Sequence, residues 1–322
     1  MVKKKHLITG GAGFIGFNLA FRLISAGQKV SIFDNLSRGS FKELYSGGGN
    51  FEFIKADIRD KTAVRNAVRG VDCVWHLAAI NGTSNFYNMP DKVLEVGIKG
   101  IINILDACRE EKVKDLMLAS SSEVYQTPHI FPTSEATPLV IPDPFNPRYS
   151  YAATKITSEV MAIHYGCRFL KRVIIFRPHN VYGPNMGYEH VIPQFIIRML
   201  KLSKKYSGQE VKFPIQGTGR ETRSFILIDD FIDGLMLISE KGRHRNIYHI
   251  GTSEELTIKE VAVTISKYFG LKIKIVPGKL ALGSTPRRCP DISKMCALGF
   301  KPKYKLKEAL PLVAYWYEQN IK

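Results

Sequence analysis

Tyr151 and Lys155 stand four positions apart, and together they could remove and return a proton. The segment around them is typical of a helix, where residues four apart share one face. An ammonium group beside a phenol stabilises the phenolate, which lowers the pKa of the tyrosine toward working pH and makes it a general base. A tyrosine four residues before a lysine is also common by chance, so an ordinary exposed pair is the alternative.

A polar cluster precedes this pair and could act with it. Ser121 and Glu123 follow the apolar segment 114–119, which is typical of a buried strand. Ligands of open α/β sheets bind at the carboxyl ends of such strands. Six prolines between residues 128 and 147 exclude one continuous helix from there to Tyr151. The serine hydroxyl and the carboxylate are therefore candidates to move a proton together with the tyrosine.

A glycine-rich turn near the N-terminus is the element around which these groups must be arranged. The segment 7–16, Leu-Ile-Thr-Gly-Gly-Ala-Gly-Phe-Ile-Gly, joins a predicted strand to a predicted helix. One glycine permits the tight turn, one lets backbone N–H groups approach a pyrophosphate, and one lets the helix pack against the strand. The phosphates would lie at the positive end of that helix. The contacts predicted for this loop are Gly10, Gly13, Phe14, Ile15 and Gly16.

An acid after the second predicted strand indicates which dinucleotide binds. The strand 29–33 leads directly into Asp34, where a carboxylate accepts hydrogen bonds from the adenine-ribose hydroxyls. The same carboxylate repels a 2′-phosphate, so we expect NAD and not NADP, although Arg38 lies nearby in the sequence. Asn35 is a further expected contact.

Two later strand ends should complete the cofactor site. Asp57 follows the strand 51–55 and is expected at the adenine together with Ile58. The alternative is that Asp57 or Asp60 caps a helix. The end of the strand 71–77 and the segment after it should line the cofactor with small side chains and backbone, through Leu77, Ala78 and Ala79.

The alternation of strands and helices predicts an α/β fold, a doubly wound parallel Rossmann-type sheet with a smaller, discontinuous α/β substrate lobe toward the C-terminus. The NAD-binding domain should comprise residues 1–170, with strand and helix returns near 171–182 and 225–250. The lobe should comprise mainly residues 183–322. Helices are expected over 91–111, 150–166, 191–205 and 257–269, and a short strand over 211–215.

Length and composition describe an ordinary globular chain. Its 322 residues, 45% of them hydrophobic, can bury one large core or one core with a smaller lobe. No apolar run reaches membrane-spanning length and none precedes Gly10, so neither secretion nor membrane insertion is expected. The five cysteines are scattered without metal-ligand spacing. This pattern predicts reduced thiols in a cytoplasmic protein and no metal site.

The formal net charge of +17 makes a nucleic-acid partner a hypothesis to weigh. The basic residues are spread along the chain in short runs, and no nucleic-acid module is recognisable. We therefore predict a solvated basic surface with a site for an anionic substrate, and neither a nucleic-acid nor a membrane partner.

The glycine loop, Ser121 and the Tyr151–Lys155 pair together resemble those of extended short-chain dehydrogenase/reductases. More narrowly, the chain resembles the NAD-dependent nucleotide-sugar epimerase/dehydratase family. The similarity runs nearly end to end and includes Phe-Arg-Pro-His-Asn-Val-Tyr-Gly-Pro at 176–184. It implies a homodimer formed through two long helices and a nucleotide-diphosphate sugar as substrate. It also implies substrate contacts from Asn180 and Val191, and diphosphate or nucleotide contacts from Arg223 and Arg288.

The resemblance also implies a reaction. Tyr151 would take the proton of the sugar O4 while NAD accepts a hydride from C4, which gives a 4-keto sugar. Lys155 would hold the nicotinamide ribose, and Ser121 would hydrogen-bond the same sugar oxygen. NAD would be regenerated in each cycle.

The fate of the 4-keto sugar separates the members of this family. Ser121-Ser122-Glu123 resembles the Thr-Ser-Glu of GDP-mannose dehydratases and UDP-glucuronate decarboxylases. A carboxylate at Glu123 could remove the C5 proton, so we predict a nucleotide-sugar 4,6-dehydratase. A 4-epimerase, with Glu123 as a hydrogen-bonding residue, is the alternative. A decarboxylase would need a basic site for a substrate carboxylate that the sequence does not place, and a non-catalytic NAD-binding regulator would lack the catalytic residues.

Three positions depart from the family pattern. Gly97 stands where the family usually has Asn, and Gln126 stands where Gly usually follows Val-Tyr. Ser224 replaces the Asp that usually follows the diphosphate-binding Arg. These departures bear on the subfamily and not on the NAD chemistry.

Overall fold

A computed structural model describes residues 3–38, 51–206 and 209–321 of the chain. The strands of these ranges, in chain order, are β1 (Lys5–Thr9), β2 (Lys29–Asp34), β3 (Phe51–Lys55), β4 (Cys73–His76), β5 (Asp115–Ala119), β6 (Arg172–Pro178), β7 (Val181–Tyr182), β8 (Glu210–Ile215), β9 (Thr222–Ser224), β10 (Ile226–Leu227), β11 (Asn246–Ile250), β12 (Glu255–Thr257), β13 (Lys272–Pro277) and β14 (Arg287–Arg288).

The α-helices of the same ranges are α1 (Phe14–Ser25), α2 (Lys61–Val68), α3 (Thr83–Asn88), α4 (Pro90–Glu110), α5 (Ser150–His164), α6 (Val191–Ser203), α7 (Ile228–Lys241), α8 (Ile258–Tyr268), α9 (Ser293–Ala297) and α10 (Leu306–Asn320). A short 3-10 helix covers Ser122–Tyr125. The helices predicted over 91–111, 150–166, 191–205 and 257–269 and the strand predicted over 211–215 are all present.

A seven-stranded parallel sheet in the order β11-β6-β5-β4-β1-β2-β3 forms the centre of the molecule. From β1 the chain moves outward to β2 and β3, and then returns to β4 on the other side of β1. This reversal creates a crevice between the carboxyl ends of β1 and β4, where open α/β sheets bind their ligands. The predicted doubly wound Rossmann-type sheet is confirmed.

Helices cover both faces of this sheet, and a separate hydrophobic cluster lies on each face. On one face α1 and α7 bury Leu19 and Phe231 against the strands. On the other face α2 and α4 bury Val64 and Ile101. Because both faces are covered, the central strands are apolar runs, and all five residues of β5 are buried.

A third hydrophobic cluster lies toward the C-terminus and holds the remaining small sheets. It packs α6, α8 and α10 around side chains such as Phe195, Phe213 and Tyr317. Strands β8 and β13 form a parallel pair beside it, and β12, β9 and β14 form a three-stranded sheet. Residues of this region therefore bury a core of their own.

No α-helix within the described ranges is both long and apolar enough to cross a bilayer. The five cysteines all lie within those ranges as free thiols, and only Cys296 is exposed. In the same ranges, no group of His, Cys, Asp and Glu side chains could hold a metal ion.

Candidate active site

The glycine loop brings the carboxyl end of β1 against the carboxyl end of β4. Gly10 has a φ of +70°, and a Cβ added to it would lie 2.9 Å from the Cα of Ala78. A Cβ added to Gly16 would collide with the carbonyl oxygen of Gly10, so that glycine lets α1 pack on the loop. On Gly13, by contrast, a Cβ would meet only the Gly10 carbonyl, at 3.2 Å. The loop therefore has an open side at the N-terminus of α1, which suits a pyrophosphate.

The predicted ribose-binding acid lies beside this loop. Asp34 accepts hydrogen bonds from the backbone N–H groups of Ala12, at 3.0 Å, and Leu36, at 2.8 Å. Burial raises the pKa of Asp34, and these two hydrogen bonds lower it in part. The guanidinium of Arg38 donates to the carbonyl of Asn81, so it is held at the segment after β4.

The predicted adenine contact, Asp57, is held in an ion pair. Its carboxylate accepts two hydrogen bonds of 2.9 Å from the guanidinium of Arg59 and one of 3.1 Å from Asn35. The hydrogen bond from Arg59 lowers the pKa of Asp57 most. Two predicted cofactor residues, Asn35 and Asp57, are therefore in direct contact. The helix-capping alternative applies to Asp60, which caps α2 by accepting from the N–H of Ala63.

The segment after β4 is fixed by a threonine at the end of β1. The hydroxyl of Thr9 accepts hydrogen bonds of 3.2 Å from the backbone N–H groups of Leu77 and Ala78. This places the small residues predicted to line the cofactor, including Ala79, at the edge of the crevice. The side chain of Ile58 lies close to Gly100 of α4, since a Cβ added to that glycine would be 3.2 Å from it. Helix α4 therefore approaches the same edge.

Tyr151 and Ser121 meet at the carboxyl edge of the sheet. Tyr151 lies in the first turn of α5, and the neighbouring Ser121 side chain lowers the pKa of its phenol. The ring of Phe86 stacks on that of Tyr151 with centroids 4.8 Å apart, which fixes the orientation of the phenol. Lys155 donates from Nζ to the carbonyl of Ala119 at 2.8 Å, and its Nζ lies 5.5 Å from the centroid of the Tyr151 ring.

The electrostatics of this pair differ from the expectation drawn from the sequence. Burial raises the pKa of Tyr151, and only the Ser121 side chain opposes this. Burial also lowers the pKa of Lys155 to about 8, while the charge of Glu159 raises it. The predicted lowering of the tyrosine pKa by the lysine does not arise in the protein alone, because desolvation of the phenolate dominates.

Glu123 forms an ion pair with Arg288, whose Nη1 lies 2.8 Å from the carboxylate Oε1. Burial alone would raise the pKa of Glu123, but the charge and hydrogen bond of Arg288, followed by the charges of Arg148 and Arg223, lower it. Glu123 is therefore ionised at neutral pH. The sequence predicted Arg288 at the diphosphate or nucleotide, and the structure places its guanidinium on this carboxylate.

Arg148, three residues before Tyr151, was not predicted from the sequence. Its side chain is buried, and its Nε has no hydrogen-bond partner within the described ranges. Its charge acts on both Glu123 and Arg223. Its position at the end of the proline-rich segment, just before α5, is the sequence feature that could have indicated it.

Arg223 lies in the same group of charges without a carboxylate bonded to it. Its guanidinium donates to the backbone carbonyls of Thr222 and Thr285, at 2.7 and 2.6 Å. Burial and the charge of Arg288 lower the pKa of Arg223 to about 10. Arg148, Arg223 and Arg288 thus form with Glu123 a group that has more positive than negative charge, in which Arg148 and Arg288 are buried and the other two are partly exposed, and which we call the arginine cluster.

A pocket next to the cluster contains the two other predicted substrate contacts, Asn180 and Val191. Val191 is the first residue of α6, and Asn180 donates from Nδ2 to the carbonyl of Ser224 at 2.9 Å. Ser224, one of the three departures, is fully buried in β9. The other lining residues of this pocket are Val181, Tyr182, Met186, His190, Ile192 and Phe225.

The departure at Gly97 is explained by helix packing. A Cβ at Gly97 would lie 2.5 Å from the Cβ of Thr154, so only glycine lets α4 approach α5 at this point. The Thr154 side chain, hydrogen-bonded to the Tyr151 carbonyl at 2.8 Å, occupies the space beside Gly97. Thr154 of α5 therefore packs against the position of α4 where the family pattern has an asparagine.

A family model described as the NAD dependent epimerase/dehydratase family matches residues 6–251. The chain is 33% identical to a UDP-N-acetyl-alpha-D-glucosaminuronate decarboxylase of Bacillus cytotoxicus, covering 99% of both chains. It is 34% identical to a dTDP-D-glucose 4,6-dehydratase of Dictyostelium discoideum, covering 81% of this chain and 61% of that one. The crystal structure of the UDP-glucose 4-epimerase of Thermus thermophilus with NAD superposes with a TM-score of 0.85 and 27% identity, covering 98% of this chain and 100% of that one.

Proposed function

The chain belongs to the NAD-dependent epimerase/dehydratase family, and we propose that it oxidises a nucleotide-diphosphate hexuronate at C4 and then decarboxylates it. The observation that carries this proposal is the ion pair of Glu123 with Arg288, flanked by Arg148, next to Tyr151. The cofactor is NAD, and the glycine loop with Asp34 provides its cradle. In this proposal the substrate pocket lies between residues 180–182 of the NAD-binding domain and residues of the lobe that begins at 183.

The charge of the arginine cluster supports a carboxylated sugar. Three guanidinium groups surround one carboxylate, and burying a cation without a counter-charge is costly. A diphosphate at Arg223 would supply part of the missing negative charge. A sugar carboxylate beside Arg148 and Arg288 would supply the rest. This is the basic site that a decarboxylase requires and that the sequence alone did not place.

The residues around Tyr151 account for the first step. When bound, NAD supplies reversible hydride acceptance at the sugar C4. Tyr151 takes the proton of the O4 hydroxyl, and Ser121, beside the phenol, keeps it directed at that oxygen. The stacked ring of Phe86 excludes water from the other face of the phenol. The ammonium of Lys155 stabilises the phenolate form of Tyr151, which is the form that can accept the O4 proton.

The second step uses the ketone formed at C4. After oxidation, C5 carries the carboxylate carbon C6 and is bonded to the C4 carbonyl carbon. The C5–C6 bond can therefore break, and carbon dioxide leaves. The electron pair of that bond moves to C5 and the O4 enolate, and a solvent proton adds at C5. Arg288 and Arg148 orient the carboxylate before the bond breaks, while Glu123 keeps Arg288 in place. The C4 ketone is finally reduced, and Tyr151 returns the proton to O4.

A nucleotide-sugar 4,6-dehydratase is the second candidate. The observation that favours it is that Glu123 is ionised and lies two residues beyond Ser121. An ionised carboxylate at this position could act as the base that removes the C5 proton. In that reaction the base removes the C5 proton, and hydroxide leaves C6 as water. The 34% identical relative with that activity supports this candidate. It leaves Arg148 without a substrate group to bind.

The test is incubation with UDP-, GDP-, CDP- and dTDP-linked hexoses and hexuronates in deuterated water, analysed by mass spectrometry and NMR. A decarboxylase releases carbon dioxide from a hexuronate and gives a pentose with deuterium at C5. A dehydratase instead releases water from a hexose, with deuterium incorporated beside the ketone. An unchanged mass with inversion at C4 would identify an epimerase and reject both proposals.

We also propose that the chain forms a cytoplasmic homodimer through α4 and α5. The long helices carry exposed apolar side chains on their outer surfaces, with 40% of Leu94, 38% of Ile102 and 50% of Val160 accessible to solvent. A four-helix interface would bury these side chains against their copies. An isologous arrangement of this kind is the commonest form of soluble oligomer.

A further inference from the structure

Gln126 occupies a backbone conformation that strongly favours glycine. Its φ is 52° and its ψ is −105°, directly after the short 3-10 helix Ser122–Tyr125. A residue with a Cβ is strained at this φ, and such outliers persist where the surrounding structure gains from them. The family pattern has glycine here. The chain therefore keeps a strained glutamine at the edge of its active site.

The glutamine side chain is bonded to Glu123 and nearly inaccessible, with 3% of its surface exposed. Its Nε2 donates to the carbonyl oxygen of Glu123 at 2.6 Å, and its backbone N–H donates to the same oxygen at 3.2 Å. Because a carbonyl oxygen accepts only from a donor, this contact fixes which end of the amide is the NH₂ group. The Oε1 at the other end is buried and has no partner within the described ranges.

The backbone of Gln126 is linked to the partner of Glu123. Its carbonyl oxygen accepts from the hydroxyl of Thr285 at 2.9 Å. That hydroxyl accepts from Nη2 of Arg288 at 3.2 Å, and Nη1 of the same guanidinium donates to Glu123 at 2.8 Å. The four residues form a closed ring of hydrogen bonds, which we call the Gln126 ring. Tyr151 and Lys155 lie outside this ring.

We propose that Gln126 is a positioning residue that holds Glu123 against Arg288 and so serves the step after C4 oxidation. The inference rests on the proposed function. It deepens that function because the ring contains both members of the ion pair and neither member of the Tyr151–Lys155 pair. A strained backbone and an unpartnered buried oxygen both destabilise the folded chain. A residue retained for stability alone would not combine them.

The test is the variant Gln126→Gly, which keeps the two backbone bonds of the ring, removes only the bond from Nε2 to the Glu123 carbonyl, and relieves the backbone strain. We expect a thermal midpoint equal to or above that of the wild type. We also expect bound NADH to form at the wild-type rate when UDP-glucuronate is mixed with the enzyme. Formation of the decarboxylated product should then fall by roughly 10–100-fold, because a small misplacement of catalytic groups has effects of this size. NADH should accumulate on the enzyme as a result.

Two further variants make the result decisive. Lys112→Gly relieves a comparable φ of 56° in an exposed turn far from the ring, and it should leave both product formation and NADH unchanged. Gln126→Asn tolerates the positive φ but has a side chain too short to reach the Glu123 carbonyl in the same way, so it should reproduce the loss. Loss of stability in parallel with activity, or product formation at the wild-type rate in both Gln126 variants, would overturn the proposal.

The wild-type enzyme separates this inference from the proposed function. If the wild type dehydrates a hexose instead, decarboxylation is rejected, and the same variants are measured on the dehydration product, since Glu123 acts after C4 oxidation there too. A wild-type protein that converts none of the sugars in the panel rejects both ideas. A wild type that decarboxylates, with Gln126 variants that do so equally well, rejects only the role of Gln126.

Discussion

Arg177 and Glu159 form an ion pair in which both side chains are almost fully buried, at 1% and 2% exposure. Glu159 follows Lys155 by one turn of α5, and Arg177 lies in β6. The same guanidinium also donates to the hydroxyl of Tyr125, at the end of the 3-10 helix that carries Glu123. The pair therefore joins the helix of Tyr151 to the segment of Glu123.

This buried pair should contribute strongly to stability. Arg177→Met leaves the Glu159 carboxylate buried without a partner, so we expect a loss of about 3–5 kcal/mol in the free energy of unfolding. Arg177→Met/Glu159→Met removes both charges and should cost less than the single change. Denaturant unfolding measures both. Arg109 is the control, because its side chain is half exposed and its partner Asp106 keeps a hydrogen bond from Tyr165, so Arg109→Met should cost ~0–1 kcal/mol.

Tyr151→Phe removes the group proposed to take the O4 proton and keeps the ring that stacks on Phe86. We expect the rate of C4 oxidation to fall by roughly 10²–10⁴-fold, the usual contribution of a general base. The amount of NAD bound, measured by release from denatured protein, should not change. Turnover at the wild-type rate would remove Tyr151 from the mechanism.

The pH dependence of stability should depend on Arg288. Because the pKa of Glu123 is lowered, its ionised form stabilises the folded state above the ordinary glutamate pKa, and this stability is lost as the pH falls through the lowered value. Arg288→Gln removes the largest opposing charge, so burial raises the pKa of Glu123, and this loss of stability on acidification should disappear when denaturant unfolding is measured against pH. Arg287→Gln is the control, since Arg287 pairs with Glu255 at the surface. Identical profiles for the two variants would contradict the assignment.

Substitution of two glycines with similar φ values should distinguish the cost of backbone strain from the cost of a steric clash. Gly10 and Gly27 have φ values of +70° and +74°, but a Cβ at Gly27 meets nothing within 4 Å. Gly27→Ala should cost about 1–2 kcal/mol for the left-handed conformation alone. Gly10→Ala should cost a further ~1–3 kcal/mol from the collision with Ala78 and should also weaken NAD binding. Calorimetry of the two variants, with and without NAD, tests this; equal losses would show that the loop does not approach β4 closely.

The proposed dimer predicts the effect of charges on α4 and α5. Ile102→Asp and Val160→Asp place a carboxylate on the outer surface of these helices, and either should convert the sedimentation profile at micromolar protein from dimer to monomer. Phe21→Asp, on α1, changes another exposed apolar side chain and should leave the dimer intact. A wild-type protein that sediments as a monomer would contradict the proposal directly.

Much of the cofactor site was predictable because its signals are local in the sequence. The glycine spacing at 10–16 and the acid at Asp34 each follow directly from a strand, and the structure brings them into contact through Ala12. The spacing of Tyr151 and Lys155 likewise places them on one helix without any information about the rest of the chain. Periodicity over ten to twenty residues was enough to predict the long helices and the doubly wound sheet.

The chemistry beyond C4 oxidation depended on contacts that local patterns do not carry. Glu123 and Arg288 are 165 positions apart and meet only because tertiary packing brings β14 to the 3-10 helix that follows β5. Arg148 has no motif of its own, and only tertiary packing buries its Nε and lets its charge act on Glu123. The pKa of Tyr151 also could not be predicted from its spacing to Lys155, because burial outweighs a neighbouring charge. The sequence thus determined the fold and the cofactor and indicated the residues proposed for the first proton transfer, while the tertiary structure alone assembled the charges proposed to act on the sugar afterwards.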